Sequence, residues 1–345
     1  LTPVTLRKIL TCSEGVDKKT LIQLFSSFNI QLSQGDYTRP TPSFEDNEPL
    51  IVPKRQDWGE AICVSIFYGR TEEIATLEQW IIEERCRKVA LLGMGGIGKT
   101  SLATKLAKEI AHKFDYVQWI SLRDAPPIDI ILTQAIQFLS EKDVTEAELP
   151  ESVGGKISKL ISYFKSSRCL FILDNLESIL CSGSRAGSYR QGYEGYGELL
   201  RCVGEVPHRS CLLLTSREKP KDLVPLEGEG LVVRSLQLSG LKEDDGENIL
   251  KMKGICGIEP ELKAIVECYA GNALALKIVA TTIKDVFDGN VSEFLKHSTT
   301  VFGDIRELLD QQFERLSDLE KSIMYWLAIK REPITLLEIQ DDSVS

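Results

Sequence analysis

The chain has no apolar run of 18 residues, no C-x-x-C pair and only three histidines in 345 residues. Each absence excludes something. Without a long apolar run there is no transmembrane helix to read, and no charged-apolar-small leader marks a secretory signal. Nine cysteines are scattered singly, and His112, His208 and His297 lie far apart, so neither a zinc site nor a disulfide framework is indicated. Cys169 and Cys211 fall in apolar runs, where a reduced thiol packs as a small hydrophobe. A reducing cytoplasm is the expected compartment. Positive charge is also in deficit. With 51 acidic against 41 basic side chains the net charge is −10, so no whole-chain field favours nucleic acid or an anionic membrane. Residues 1–40 alone run the other way, with five basic and three acidic side chains. There is no internal repeat. The chain begins at Leu1 rather than Met and reads as a segment of a longer protein.

What is present is ordinary globular composition, 43% hydrophobic and 27% charged, at a length suited to two or three domains. Residues 1–37 read as short helices, with Leu21, Leu24, Phe25 and Phe28 on one face of the second. Residues 38–65 read as a linker, four prolines lying among polar residues between 38 and 57. An extended patch, Ile66 to Arg70, leads into a helix from about Thr71 to Glu84. From Lys88 strand and helix alternate. Strand-like runs at 88–93, 116–122, 169–174, 211–216 and 231–238 are separated by helical stretches at 99–114, 128–140, 154–167 and 196–203. Near-continuous apolar strands between helices imply a parallel sheet covered on both faces, an α/β fold over 66–240. Residues 181–197, rich in Gly, Ser, Tyr and Arg, read as a long exposed loop, and 242–340 as helical throughout.

Residues 93–100, Gly-Met-Gly-Gly-Ile-Gly-Lys-Thr, fit G-x-x-x-x-G-K-[ST]. A short apolar strand precedes them, and Leu102, Leu106 and Ile110 follow at helical spacing. Strand, glycine-rich loop and helix in that order form a phosphate cradle. The glycines let backbone N–H groups of Gly93, Met94, Gly95, Gly96, Ile97 and Gly98 turn toward phosphate oxygens, ending at Ser101 in the first helical turn. Lys99 then reaches the β- and γ-phosphates, and the Thr100 hydroxyl can ligate Mg²⁺.

The strand Leu170–Asp174 ends in a carboxylate at the sheet edge where ligands bind, so Asp174 is a Mg²⁺ ligand, directly or through water, or else an ordinary helix cap. Glu177 is either the group that orients an attacking water or a solvated residue of the next helix. Arg217, at the end of a second apolar strand, either forms charge-assisted bonds to the γ-phosphate or is a surface arginine.

In this order the pieces resemble the NB-ARC (AP-ATPase) branch of the STAND P-loop NTPases, over roughly residues 66–340. Phe67 to Glu72 is similar to the hydrophobic-Gly-Arg motif ahead of the nucleotide domain. Gly93 to Thr100 is similar to its Walker A, Leu173-Asp174-Asn175 to its Walker B, and Thr215-Ser216-Arg217 to its sensor 1. Gly271-Asn272-Ala273-Leu274-Ala275-Leu276 stands where the family has Gly-x-Pro-Leu-Ala-Leu. The resemblance implies a P-loop domain, a helical ARC region over 241–300 and the start of a winged-helix domain over 301–345, where Met324 to Ala328 resembles its opening. It implies that Arg70 contacts the nucleotide, that Arg217 reads the γ-phosphate, and that Ala273 and Leu274 cover adenine. Ala273 replaces the family's proline, and Asn175 replaces a second acidic residue; an amide cannot act as a general base. The Met-His-Asp motif is not visible before Ser345. Residues 1–20 resemble the latter half of a helix-turn-helix module, with Arg7 and Lys8 placed for phosphate contacts; a small helical effector or adaptor is the alternative.

The expected function is an ATP/ADP-binding switch with Mg²⁺ as cofactor: closed with ADP, opened by ATP, self-associating when active, slow in hydrolysis, and acting on a protein partner that the sequence does not name. A nucleotide-controlled DNA-binding regulator and a P-loop small-molecule kinase are the alternatives.

Overall fold

A computed structural model of the chain describes residues 55–141, 144–183, 187–296 and 303–330. The helices expected in 1–37, with the helix-turn-helix resemblance, fall outside the described residues, as do residues 331–345.

Six parallel strands form one sheet: β1 (Arg55–Asp57), β2 (Lys88–Leu92), β3 (Tyr116–Ser121), β4 (Cys169–Asp174), β5 (Cys211–Ser216) and β6 (Val233–Gln237). Their spatial order is β1-β3-β4-β5-β2-β6. Strands β2, β4 and β5 are buried at every residue. Their side chains alternate between two apolar cores. Phe171 and Leu173 pack with Leu132, Phe164 and Leu200 on one face, while Leu170 and Ile172 pack with Leu102, Leu106 and Ile110 on the other. A strand buried on both sides needs apolar residues at both parities, which is why these segments read as unbroken hydrophobic runs.

Helices α1 (Thr71–Glu78) and α2 (Lys99–Ile110) cover the second face. Helices α3 (Ile128–Leu139), α4 (Val153–Ser166) and α5 (Glu194–Glu205) cover the first. Ser152 caps α4 by accepting from the Gly155 N–H. Beyond β6, α6 (Glu243–Met252), α7 (Glu259–Cys268), α8 (Ala273–Val286) and α9 (Val291–Lys296) surround a separate core centred on Leu250, Ile265, Leu276 and Ile283. Two more helices follow, α10 (Gly303–Phe313) and α11 (Asp318–Lys330).

Two expectations are corrected and a third is refined. The first strand is Arg55–Asp57, inside the stretch read as linker, and it pairs with Tyr116–Gln118 of β3. At three residues it is too short to show alternation. The stretch 181–197 is not all exposed loop: Tyr189 is buried and bridges Leu180, and α5 begins at Glu194. Its tyrosines act as anchors, the Tyr193 and Tyr196 hydroxyls donating to the carbonyls of Ala125 and Pro126. The helix expected from about Thr71 to Glu84 is present, as α1 to Glu78 and then a π turn, Gln79–Glu83.

The eight cysteines among the described residues form no disulfide. Among the same residues no helix is long and apolar enough to cross a membrane, and no group of three or more His, Cys, Asp or Glu side chains is placed to hold a metal.

Candidate functional site

The sheet order decides the site. Strand β5 lies between β2, which leads into the glycine-rich loop, and β4, which ends at Asp174. The C-terminal end of β5 therefore projects between loop and carboxylate. Thr215, on that end, donates from its hydroxyl to Asp174 Oδ1 at 2.5 Å and accepts the Asn175 N–H at 2.9 Å. From the other side Thr100 Oγ1 donates to the same Asp174 oxygen at 2.9 Å.

Loop conformation follows from the glycines. Gly96 and Gly98 have φ of 77° and 107°, in the region that side chains with a Cβ disfavour, and Gly98 is the residue from which α2 starts. At Gly96 a Cβ would also meet Asn272 Oδ1 and Leu274 Cβ, both at 2.8 Å. Lys99 is 7% exposed and folds back over the loop, its ammonium donating to the carbonyls of Gly93 at 2.7 Å and Met94 at 3.1 Å. Burial holds its pKa below the ordinary lysine value, Arg217 pushing the same way and Glu177 and Asp174 opposing. Phosphate oxygens at this position would replace two neutral carbonyls with anionic partners.

Asp174 is 4% exposed, and burial raises its pKa against the two hydroxyl donors that favour the anion. A buried carboxylate facing a threonine hydroxyl is a hard-oxygen donor pair suited to Mg²⁺, which would relieve that cost. Thr100 and Asp174 are the residues that fit the ion.

Glu177, in the turn Leu176–Ile179, is 8% exposed rather than solvated, and Arg217 Nε donates to its Oε1 at 3.1 Å. Its Oε2 is buried with no hydrogen-bond partner among the described residues. Arg217 is thus tied at Nε. A Cβ at Gly95 would come within 3.1 Å of its Cζ, which places the guanidinium directly over the loop.

Arg70 takes a different position from the other cations. Its backbone is left-handed at φ 64°, and its side chain pairs with Glu73 at 2.8 Å and donates to the carbonyls of Ser239 at 2.7 Å and Ile97 at 3.3 Å. It pins the loop to the connection that follows β6.

The helical region reaches the loop through α8. Asn272 caps this helix, its Oδ1 accepting from the N–H groups of Leu274 and Ala275, while its Nδ2 donates to the Gly95 carbonyl at 2.9 Å. The Leu274 N–H also donates to Gly96 O at 3.1 Å.

Two cavities meet at this point. One of about 430 Å³ is lined by the loop from Gly95 to Ser101 except Ile97, and by Asn175, Glu177, Arg217, Ala273 and Leu274. The other, about 280 Å³, is lined by Phe67, Tyr68, Arg70, Ile97, Leu241 and Ala273 among others. Gly98, Ser101, Ala273 and Lys277 line both. The first lining holds most of the charged and hydroxyl side chains and the second most of the aromatic and aliphatic ones, an arrangement that suits phosphates leading to a base. Met94, with its side chain 43% exposed, lines neither.

Arg123, which lines the phosphate cavity, and Arg315, which donates to the Glu177 carbonyl, are not singled out by the sequence, and Thr215 and Asn272 enter there only as motif members. An asparagine before the run Ala273–Leu276 is a helix-cap signal, and a polar residue at the end of each apolar strand marks the ligand edge. Nothing local marks Arg315, which reaches this edge only through the fold.

A glycine-rich loop between a central parallel strand and a helix, with Thr100, Asp174 and Arg217 gathered around it, defines a P-loop NTPase. Within that class, residues 70–178 match the NB-ARC domain model. It is 53% identical over 301 residues to an uncharacterized WD repeat-containing protein of Nostoc sp., covering 84% of this chain and 24% of that protein. It is 30% identical over 202 residues to the disease resistance protein RPM1 of Arabidopsis thaliana, covering 54% of this chain and 20% of that one. Among solved structures it is similar to a STAND protein with a tetratricopeptide repeat sensor from Pyrococcus horikoshii, with TM-score 0.48, 19% identity and coverage of 81% and 37%. The chain spans about a quarter or less of the length of these two curated relatives.

Proposed function

We propose that this chain is the nucleotide-dependent switch of a signalling ATPase, with ADP holding the closed arrangement and ATP favouring an open, self-associating one. The observation that carries the reading is the docking of α8 on the glycine-rich loop. Asn272 and Leu274 bond the carbonyls of Gly95 and Gly96, so phosphate at the loop and packing of the helical region cannot vary independently. A ligand that makes different contacts in two arrangements shifts their populations by that difference, which is what a switch requires.

In this reading Lys99, the loop N–H groups and Arg217 bind phosphate, Leu274 lines the phosphate cavity, and Ala273 and Arg70 stand at the base side. Mg²⁺, when bound through Thr100 and Asp174, supplies charge neutralisation to the phosphates. Glu177 is the one carboxylate among the described residues that line the phosphate cavity, and its ion pair with Arg217 keeps it from acting freely on water. Slow hydrolysis follows, since Asn175 offers no base.

The test is thermal unfolding. ADP at about 100 times its Kd is expected to add roughly 2.7 kcal/mol to the stability of the folded chain and to raise its Tm. Lys99→Ala is expected to remove most of that rise. An undiminished rise would refute the role given to Lys99.

A further inference from the structure

The cations around the phosphate cavity are not equivalent. Lys99 is engaged by loop carbonyls and Arg217 by Glu177. Two others, Arg123 and Lys277, line the same cavity, are exposed, and have no side-chain partner among the described residues. They sit at opposite ends. Lys277 also lines the 280 Å³ chamber on the base side. Arg123 lines instead a third cavity, of about 750 Å³, whose other charged lining residues are Glu177, Arg217, Asp310, Glu314 and Arg315. Phosphates entering from the base side reach Lys277 first and Arg123 last.

The backbone that carries Arg123 is fixed. Ser121 is in register with Asp174, and the Leu122 N–H donates to the Asp174 carbonyl at 2.8 Å. Arg123 then occupies a turn closed by the Ala125 N–H donating to Leu122 O at 2.9 Å. The Tyr193 and Tyr196 hydroxyls hold the carbonyls of Ala125 and Pro126 from behind. A guanidinium that makes no side-chain ion pair among the described residues, although Asp310 and Glu314 line the third cavity with it, stands on a braced turn beside the metal-site carboxylate and can receive an anion with little ordering of the main chain.

We propose that Arg123 is a second ligand of the terminal phosphate of a nucleoside triphosphate, closing on it from the β3 side while Arg217 contacts it from β5. Resting on the switch reading above, this assigns ATP-over-ADP preference to a pair of arginines on neighbouring strand ends rather than to Arg217 alone. A diphosphate stops short of Arg123, so the residue contributes nothing to ADP affinity.

The experiment compares Kd values for methylanthraniloyl-ADP and methylanthraniloyl-ATPγS, with Mg²⁺, on the wild-type chain and on Arg123→Ala, Arg123→Gln, Arg217→Ala and Lys99→Ala. Loss of a charge-assisted bond is expected to weaken ATPγS by about tenfold or more in both Arg123 variants, with ADP held within about twofold. If the ATPγS-to-ADP ratio stays at the wild-type value, or both nucleotides weaken equally, the assignment to Arg123 is overturned while the switch reading stands. Full retention of both nucleotides by Lys99→Ala would remove the phosphate site itself, and this assignment with it.

Discussion

Lys88 opens the strand that leads to the glycine-rich loop, yet its side chain is fully buried, and its ammonium donates to the Leu200 carbonyl at 2.8 Å. Burial lowers its pKa to about 8, with Asp222 and Glu205 only partly opposing. The folded value lies below the unfolded one, so charged Lys88 costs stability at neutral pH. That cost fades as pH rises from about 8 to about 10.5. The shift corresponds to about 3 kcal/mol. Lys88→Met is expected to stabilise the chain at pH 7 by about 1–3 kcal/mol in urea unfolding, with the gain shrinking toward pH 10. Asp174 is raised instead, so its burial costs stability above the ordinary carboxylate range and the cost disappears as pH falls below it. Asp174→Asn keeps an oxygen for Thr100 and Thr215. It is expected to raise the Tm of the nucleotide-free chain by a few degrees, as about 1 kcal/mol does at this size. The same variant is expected to lose the additional Tm gain that Mg²⁺ gives with nucleotide. A lower Tm without ligand would contradict the burial argument.

At the scale of elements, the end of α8 and the glycine-rich loop act on each other through one side chain. Asn272 both caps the helix and reaches Gly95 O. Serine retains the cap but is too short for the second bond. Asn272→Ser is therefore expected to leave stability within about 0.5 kcal/mol and to speed ADP release about fivefold, the worth of one hydrogen bond near 1 kcal/mol. Stopped-flow displacement of a fluorescent ADP measures it, and an unchanged rate would mean that the contact does not hold the loop. This is also the scale at which sequence and structure agree best. Five of the six strands and the helices between them are legible because a doubly buried strand must be apolar at every position, and an amphipathic helix must repeat at 3.6. Arg55–Asp57 is not legible, being a polar three-residue edge strand. The loop motif, Asp174 and Arg217 are legible as strand ends. The Thr215 bridge, the Arg217–Glu177 pair and the reach of Asn272 depend on which strands are neighbours, and no local pattern encodes that order.

For the molecule as a whole, Arg315 ties the turn between α10 and α11 to the nucleotide domain. Its Nε donates to Glu218 at 2.7 Å and its Nη2 to the Glu177 carbonyl at 3.2 Å, and its own carbonyl accepts from the Gly183 N–H at 2.7 Å. Glu218 Oε2 is buried without a partner among the described residues, so truncating Arg315 strands a mostly buried carboxylate. Arg315→Ala is expected to increase hydrogen exchange across 303–330 while leaving strands β2, β4 and β5 protected. Equal loss of protection in both regions would show that the contact supports the fold rather than the docking.

The strand order has one more consequence, for the ribosome. Strand β2 pairs only with β5 and β6, both made more than a hundred residues later. At translation rates of roughly 5–20 residues per second the nascent loop spends several seconds with its strand unpartnered. Synthesis that stops at residue 178, where the family match ends, would yield the whole signature motif and no phosphate site, because the slot that β5 fills would still be empty.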